Sequence, residues 1–466
     1  MNLNKVLHVG WWTIEFRGGG AIIHVETLME YLKESGIENS YFCGGRYNLL
    51  YPKPYIKKWE KKYATIYELV NSPNLIWSFG NPQVHISNID IEECFQRVIK
   101  EVKPDLIHFH ELESLTGSLL ELTRRLKIPH IVDVHNYWYL CPQRDLLDTN
   151  RKVCTDYNNG IKCATCKVLP SSTKIGWMFV GYIKNTCLGK LIDKKIIRKF
   201  YLRRIIHENQ TSPSFDQKIV PLYEKRRKFF ISELNKAMAI IYPSKRSLDI
   251  YSSYGVKNPN SYILLPLNKN YEIIKRKQNY KQIDIIRFGY IGSIIPNKGI
   301  DVLIDAFNYL KESHNKCKLY IYGAGEEVYI EKLKKKVSSS NIIFKGKYLP
   351  SQINEILDTI DVAIVPSLWE DCSPIVLNEL KLSKTPIIGS RIGGIEEAIK
   401  HGITGYLFKP GDAKDLAFYM KCILDNPDII NKMMERNDFS FDRYNYIEQI
   451  KSIYGKALKS LLSKII

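Results

Sequence analysis

From residue 285 to residue 424 the chain repeats one unit: a short run of β-forming apolar residues, a glycine-containing turn, and a helical stripe. Ile285–Ile291 is followed by Gly292-Ser293-Ile294-Ile295-Pro296-Asn297-Lys298-Gly299 and a helix from Ile300. Lys318–Tyr322 is followed by Gly323-Ala324-Gly325, Asn341–Lys345 by Gly346, Pro386–Gly389 by Gly393-Gly394, and Tyr406–Phe408 by a helix over 412–424. Parallel strands need a crossover between them, so strands alternating with helices predict a parallel sheet covered on both faces. Ligands of such sheets sit beyond the carboxyl ends of the strands, where these glycines fall.

The first half carries the same alternation less cleanly. Lys5–Gly10 is a strand, Gly18-Gly19-Gly20 a turn in which backbone can approach a ligand, and Ile22, Val25, Leu28, Met29 and Leu32 a helical stripe. The strand 104–110 ends in His110, and the strand 129–134 leads directly into His135. Both histidines are therefore placed either as structural residues or as part of a site. Residues 46–90 lack a clean period and are expected to form an elaborated loop with one short helix near 57–70. The predicted fold is α/β with two Rossmann-like doubly wound domains facing a cleft. The first spans 1–266 with an insertion at about 141–206, a linker 267–284 follows, the second domain is 285–440, and a terminal helix occupies 441–466.

Composition narrows the partners. A net charge of +19 over 466 residues favours anionic partners, such as nucleotides, phospholipid surfaces or nucleic acid. No known nucleic-acid-binding motif accompanies the charge, so none is expected as a partner. The start of the chain does not have the form of a secretory signal, and no apolar run approaches the ~18 residues that span a bilayer. The expectation is a cytoplasmic chain with reduced thiols. Between residues 174 and 206, lysines and arginines alternate with apolar residues. This basic segment either lies on an anionic membrane surface at the inner face or packs as an ordinary helix. Cys141, Cys154, Cys163 and Cys166 stand in a polar, turn-rich stretch. Four thiolates there can close a structural zinc shell, and free thiols or a redox pair are the alternatives.

The stretch 366–379, Pro-Ser-Leu-Trp-Glu-Asp-Cys-Ser-Pro-Ile-Val-Leu-Asn-Glu, holds the most chemistry. It follows an apolar run that ends at Val365. Ser373 before Pro374 is a helix-start signal, with Ser373 as cap and Pro374 as first helical residue. The free N–H groups of Ile375 and Val376 would then present partial positive charge to a diphosphate. Asp371 falls just outside the helix and Glu379 inside it. Lys298 is a natural phosphate counter-ion. The plainer reading is a capped surface helix with ordinary acids.

Taken together, the glycine turn at 18–20, Pro-Asp-Leu-Ile-His-Phe-His at 104–110, Asp-Val-His-Asn-Tyr-Trp at 133–138, Tyr-Ile-Gly-Ser at 290–293, Asn-Lys-Gly at 297–299, the acid-x7-acid pair Asp371 and Glu379, and Gly-Gly-Ile-Glu-Glu at 393–397 resemble the retaining glycosyltransferases of family four. That resemblance implies the GT-B fold and transfer of a sugar from a UDP-, GDP- or ADP-sugar to a glycan or lipid-linked acceptor. It also implies a product of cell-surface polysaccharide or glycolipid synthesis, no metal for catalysis, and a terminal helix that crosses back to the first half. Asp371 maps onto the acid that contacts the donor sugar and Glu379 onto the acid that contacts the ribose, with His135 near sugar and acceptor. Gly292, Ser293, Lys298, Gly323, Gly325, Glu370, Ser373, Ile375 and Val376 are the donor-binding set it implies. Gly18, Gly19, Gly20 and His110 form the acceptor side. Asp371 stands where the family usually has Glu, Pro374 where it has glycine, and Ser293 where it often has Arg. An epimerase of the same fold, or a silent nucleotide-binding protein, are the other readings.

Overall fold

The computed structural model describes residues 3–15, 19–48, 50–51, 53–74, 81–148, 152–166, 217–277 and 285–462. The basic segment 174–206 and Gly18 lie outside them. In chain order the first part holds β1 (Lys5–Gly10), α1 (Gly20–Glu34), β2 (Glu38–Gly44), β3 (Tyr55–Lys61), β4 (Ala64–Val70), α2 (Pro82–Ile86), α3 (Ile89–Val102), β5 (Leu106–Phe109), α4 (Ser118–Arg125), β6 (His130–Asp133), α5 (Ile161–Thr165), α6 (Val220–Lys236), β7 (Ala239–Tyr242), α7 (Lys245–Ser253) and β8 (Ser261–Ile263). The second holds β9 (Ile286–Ile291), α8 (Ile300–Tyr309), β10 (Cys317–Tyr322), α9 (Glu327–Lys334), β11 (Ile342–Gly346), α10 (Ile353–Asp358), β12 (Val362–Val365), α11 (Ile375–Leu382), β13 (Ile387–Ser390), α12 (Gly393–Ala398), β14 (Gly405–Phe408), α13 (Ala413–Asp425), α14 (Ile429–Glu435) and α15 (Arg443–Leu462).

Two sheets result. The second has strand order β11-β10-β9-β12-β13-β14, every pairing parallel. The order reverses between β9 and β12, which opens a crevice above their carboxyl ends. The first sheet has order β3-β4-β2-β1-β5-β6-β7-β8, and its reversal lies between β1 and β5. All its pairings are parallel except β3 with β4. This is the doubly wound, two-sheet architecture that the alternation predicts.

The short helix expected near 57–70 is instead the β3–β4 hairpin, closed by a two-residue turn at Lys62-Tyr63. Thr65, Ile66, Tyr67 and Val70 are β-formers, and β4 is buried between β2 and β3. β3 is the edge of the sheet, and its Lys57, Lys58 and Lys61 blunt that edge against pairing with another chain. The helix α15 packs its Tyr446, Ile447, Ile450, Ile453 and Tyr454 on Val6, Leu106, Ile131 and Ile241 of the first sheet. The helix α15 therefore lies against the first half. Among the described residues, no helix is long and apolar enough to cross a membrane.

Candidate functional site

The crevice of the second sheet is built by two segments that lock together. The turn after β9 and the loop after β12 are joined by Leu368 N–H donating to the Asn297 carbonyl at 2.8 Å. Gly299 closes the turn with φ +69°, and a Cβ there would overlap the Pro366 carbonyl. Both constraints demand glycine. Gly299→Ala is therefore expected to cost on the order of 3 kcal/mol of stability, read as a lower melting temperature. A melt within 1 °C of the wild type would contradict this packing.

Lys298, in that turn, forms an ion pair with Asp371 and lies 5.5 Å from the centre of the Trp369 ring. The backbone of Asp371 is held from the other side, where Gly394 N–H donates to the Asp371 carbonyl at 2.7 Å. Gly393, at φ +60°, lies so close to residues 370 and 371 that a Cβ would overlap them. α11 then starts at Ile375. Ser373 does not cap it: Pro374 occupies the cap position in extended conformation (φ −57°, ψ 126°), and no side chain caps the helix. The predicted start is thus one residue early. The first N–H groups of α11, from half-exposed Ile375 and Val376, remain at the crevice. Glu379 sits one turn further in and is 5% exposed. Its Oε1 accepts from Asn268 Nδ2 at 2.8 Å and Asn270 Nδ2 at 3.1 Å. Burial pushes its carboxyl up to about 7.

Other expected donor residues have different neighbours. Glu370 accepts from Arg246 of α7 through Nε at 3.0 Å and Nη2 at 2.5 Å, and from Gly393 N–H at 3.0 Å. As placed it is a clasp between the two halves, and Asp371 is the acid beside Lys298. Glu397 completes the clasp by accepting from Lys245 N–H at 2.9 Å and from Arg246 N–H at the start of α7. Gly323 and Gly325 approach the neighbouring turn: a Cβ at Gly323 would overlap the Gly292 carbonyl, and one at Gly325 the Ile294 carbonyl. These two glycines are explained by the sheet itself. Ser293 is exposed, and its carbonyl accepts from Tyr290 OH at 2.7 Å.

The first half closes the crevice from above. Gly20 begins α1 opposite α11: a Cβ on Gly20 would lie 3.3 Å from Ile375 Cδ1. Among the described residues, nothing lies within 4 Å of the corresponding position on Gly19. His110 and His135 follow β5 and β6 and meet around Asp133. His24 Nε2 is 2.9 Å from Asp133 Oδ2, His110 Nδ1 3.7 Å and His135 Nε2 3.8 Å. Burial pushes His135 down to about 3, so its ring is neutral near pH 7. Asp133 is held well below the usual carboxylate range: burial opposes ionisation, and His135 and His24 outweigh it. Beside this cluster Glu111 is pushed up to about 8, first by burial and then by Glu113.

Sequence reasoning missed His24, Asp133, Arg246, Asn268 and Asn270 as site neighbours. Asp133 stands two residues before His135 within a quoted motif, and Asn268 and Asn270 lie in the expected linker. Apart from His135 beside Asp133, the partners named for them come from distant segments, which no local pattern reveals.

The four cysteines expected as a structural zinc shell share one loop region. No three of their sulfurs fall within 4.8 Å of one another. Cys166 Sγ accepts from Gln143 Nε2 at 3.0 Å, Cys154 Sγ faces the Asp156 carbonyl at 3.5 Å, and Cys163 Sγ lies 4.0 Å from Arg227 Nη2. Burial pushes the Cys141 thiol up to about 12. The loop after β6 is pinned by two buried arginines of α6. Arg226 donates to the Trp138 carbonyl at 2.6 Å and Arg227 to the Leu140 carbonyl at 3.0 Å.

Residues 272–439 match the family model described as glycosyl transferases group 1, and residues 18–160 match that of glycosyltransferase family 4. The chain belongs to the family-four glycosyltransferases. It is 27% identical over 203 residues to the lipopolysaccharide 1,2-N-acetylglucosaminetransferase of Salmonella typhimurium, covering 42% of this chain and 49% of that protein. The chain spans half or less of the lengths of the first curated relatives it matches. Its fold is similar to sucrose-phosphate synthase from Thermosynechococcus elongatus, at TM-score 0.65 and 16% identity over 98% of this chain and all of that one. It is also similar to HepE from Anabaena in complex with UDP-glucose, at TM-score 0.60 and 13% identity over 97% and 99% of the two chains. The fold is GT-B.

Proposed function

We propose that the chain transfers a sugar from a nucleoside-diphosphate sugar to a glycan or lipid-linked acceptor, with retention of anomeric configuration. The observation that carries this reading is the convergence of Lys298, Asp371, the uncapped start of α11 and buried Glu379 at the switch point of the second sheet. As the glycosidic bond breaks, charge develops on the diphosphate. The Lys298 ammonium and the first N–H groups of α11 stabilise that charge. Lys298 has three N–H donors, so it can keep Asp371 and still serve a phosphate oxygen. Asp371 contacts the sugar, and Glu379 accepts from ribose hydroxyls deeper in the crevice. His135 faces sugar and acceptor from the first half. The leaving phosphate assists removal of the acceptor proton on the same face.

The acceptor belongs to cell-surface polysaccharide or glycolipid synthesis at the cytoplasmic face of a membrane. The net charge of +19 and the similarity to a lipopolysaccharide transferase support this. The donor nucleotide is tested by thermal melts with UDP, GDP and ADP and their glucose or mannose conjugates. A ligand at 100-fold excess over its Kd stabilises the folded state by ~2.7 kcal/mol. One nucleotide is expected to raise the melting temperature. No shift with any of them would contradict the reading.

A further inference from the structure

We infer that Asp133 is a positioning residue that fixes the tautomer of His135, so that His135 meets a substrate hydroxyl with a bare Nδ1. The catalytic consequence rests on the transferase reading above, whereas the tautomer itself rests on how the buried, neutral rings are placed about the Asp133 carboxylate.

The buried imidazoles around Asp133 are anchored at two ends by groups whose proton positions are not in question. At one end, Asn39 Nδ2 donates to the carbonyls of Met29 at 2.9 Å and Ile37 at 3.2 Å. Carbonyls only accept, so the Asn39 amide orientation is fixed and Oδ1 faces His8 Nε2 at 3.1 Å. His8 therefore carries its proton on Nε2. Burial keeps this ring neutral, with His110 adding to the effect, so His8 Nδ1 is bare. His110 Nε2, 2.9 Å away, must donate to it. On that assignment a neutral His110 has its bare Nδ1 3.7 Å from Asp133 Oδ2.

At the other end, Leu267 N–H donates to His24 Nδ1 at 2.7 Å. A backbone N–H cannot accept, so His24 Nδ1 is bare. Its proton is on Nε2, which donates to Asp133 Oδ2 at 2.9 Å. Both anchors thus leave the tautomer of His135 to Asp133 alone. His135 Nε2 is buried, lies 3.8 Å from the same carboxylate oxygen and has no other partner among the described residues. A neutral imidazole has one N–H, and a carboxylate can only accept it. The proton belongs on Nε2, and Nδ1 is left as an acceptor.

The same geometry argues against a metal ion here. The nitrogens of His24, His110 and His135 and a carboxylate oxygen of Asp133 all lie within 4.8 Å of one another. A metal on His24 Nε2 would strip that nitrogen of its proton while Leu267 N–H holds Nδ1 bare. Metal-bound histidines instead donate their second N–H to an acceptor.

The test uses the full chain labelled with 15N at histidine, with long-range proton–nitrogen correlation spectra recorded for the wild type, Asp133→Asn and His135→Ala. The last variant assigns the His135 signals. The wild type is expected to show His135 as the Nε2–H tautomer. In Asp133→Asn an amide N–H can face His135, and the ring is expected to move toward Nδ1–H. Transfer by this variant should fall on the order of 100-fold in kcat, with the nucleotide-induced melting shift unchanged. A wild-type His135 protonated on Nδ1 overturns the proposal without recourse to any variant. So does one equivalent of transition metal bound to the purified chain, or wild-type kcat in Asp133→Asn. A tautomer change in a protein that transfers nothing on any donor would uphold the positioning role and refute the transferase reading.

Discussion

At pH 8 the Glu379→Gln variant is expected to melt above the wild type while losing roughly 10- to 100-fold in kcat/KM. Glu379 is buried on α11, and its observed partners, Asn268 and Asn270, are neutral amides. Burial favours the protonated acid and raises its pKa in the folded chain from 4.5 to about 7. Below pH 4.5 the acid is protonated in both folded and unfolded chains, and its full contribution to stability is present. Between pH 4.5 and 7 the unfolded chain gives up this proton first, and the contribution is lost. The loss amounts to ~3 kcal/mol, at 1.36 kcal/mol per pH unit. Glutamine keeps the carbonyl that Asn268 and Asn270 use and never ionises, so the variant escapes that loss. Melting curves from pH 5 to pH 8 should therefore diverge, with the variant increasingly above the wild type. Parallel curves would contradict the assignment. The kinetic loss follows because ribose hydroxyls donate more strongly to a carboxylate than to an amide.

The second large effect is at Lys298. Lys298→Ala is expected to lower kcat/KM by on the order of 100- to 1000-fold, the usual cost of removing a preorganised group aimed at developing charge. It should also abolish the melting shift caused by the nucleoside diphosphate. Two features make Lys298 hard to replace. Ser293 carries no charge with which to share the phosphate, and Pro374 at the helix cap has no N–H to offer. The substitution also leaves Asp371, buried to 6% exposure, without its ammonium partner. Some of the loss is therefore repulsion between that carboxylate and the diphosphate, so Lys298→Arg is expected to recover part of the activity. Activity within threefold of wild type in Lys298→Ala would remove Lys298 from the mechanism.

Most of the architecture was legible in the sequence because its signals are local. Each strand of the second sheet is a short apolar run, and the glycines after β9, β10 and β13 mark its turns, so the strand–turn–helix units could be read one by one. The placing of Asp371 before α11 and of Glu379 within it follows from their positions around one helix start. The errors share a cause as well. The β3–β4 hairpin was expected as a helix because Lys57, Lys58, Lys61 and Lys62 crowd charge beside the apolar residues Ile66, Tyr67, Leu69 and Val70 of the partner strand, whose burial does not alternate. Ser373 lost its expected cap role to Pro374, which took the cap position itself. Arg246 reaches Glu370, expected as a donor residue, from 124 residues away. Arg226 and Arg227 reach the loop beside the cysteines from 88 and 87 residues away. The ring of His24, His110 and His135 around Asp133 joins α1, β5 and β6 through contacts that span as many as 109 residues. Only the assembled sheet makes them neighbours.

The central claim is sugar transfer with retention, and the most direct test is proton NMR of the reaction mixture with the donor selected by the melting panel and a lipid-linked saccharide acceptor. The account predicts release of the nucleoside diphosphate together with a new glycoside of the donor's own anomeric configuration. An inverted product would contradict the retaining reaction, and an epimerised nucleotide sugar formed without acceptor would contradict transfer.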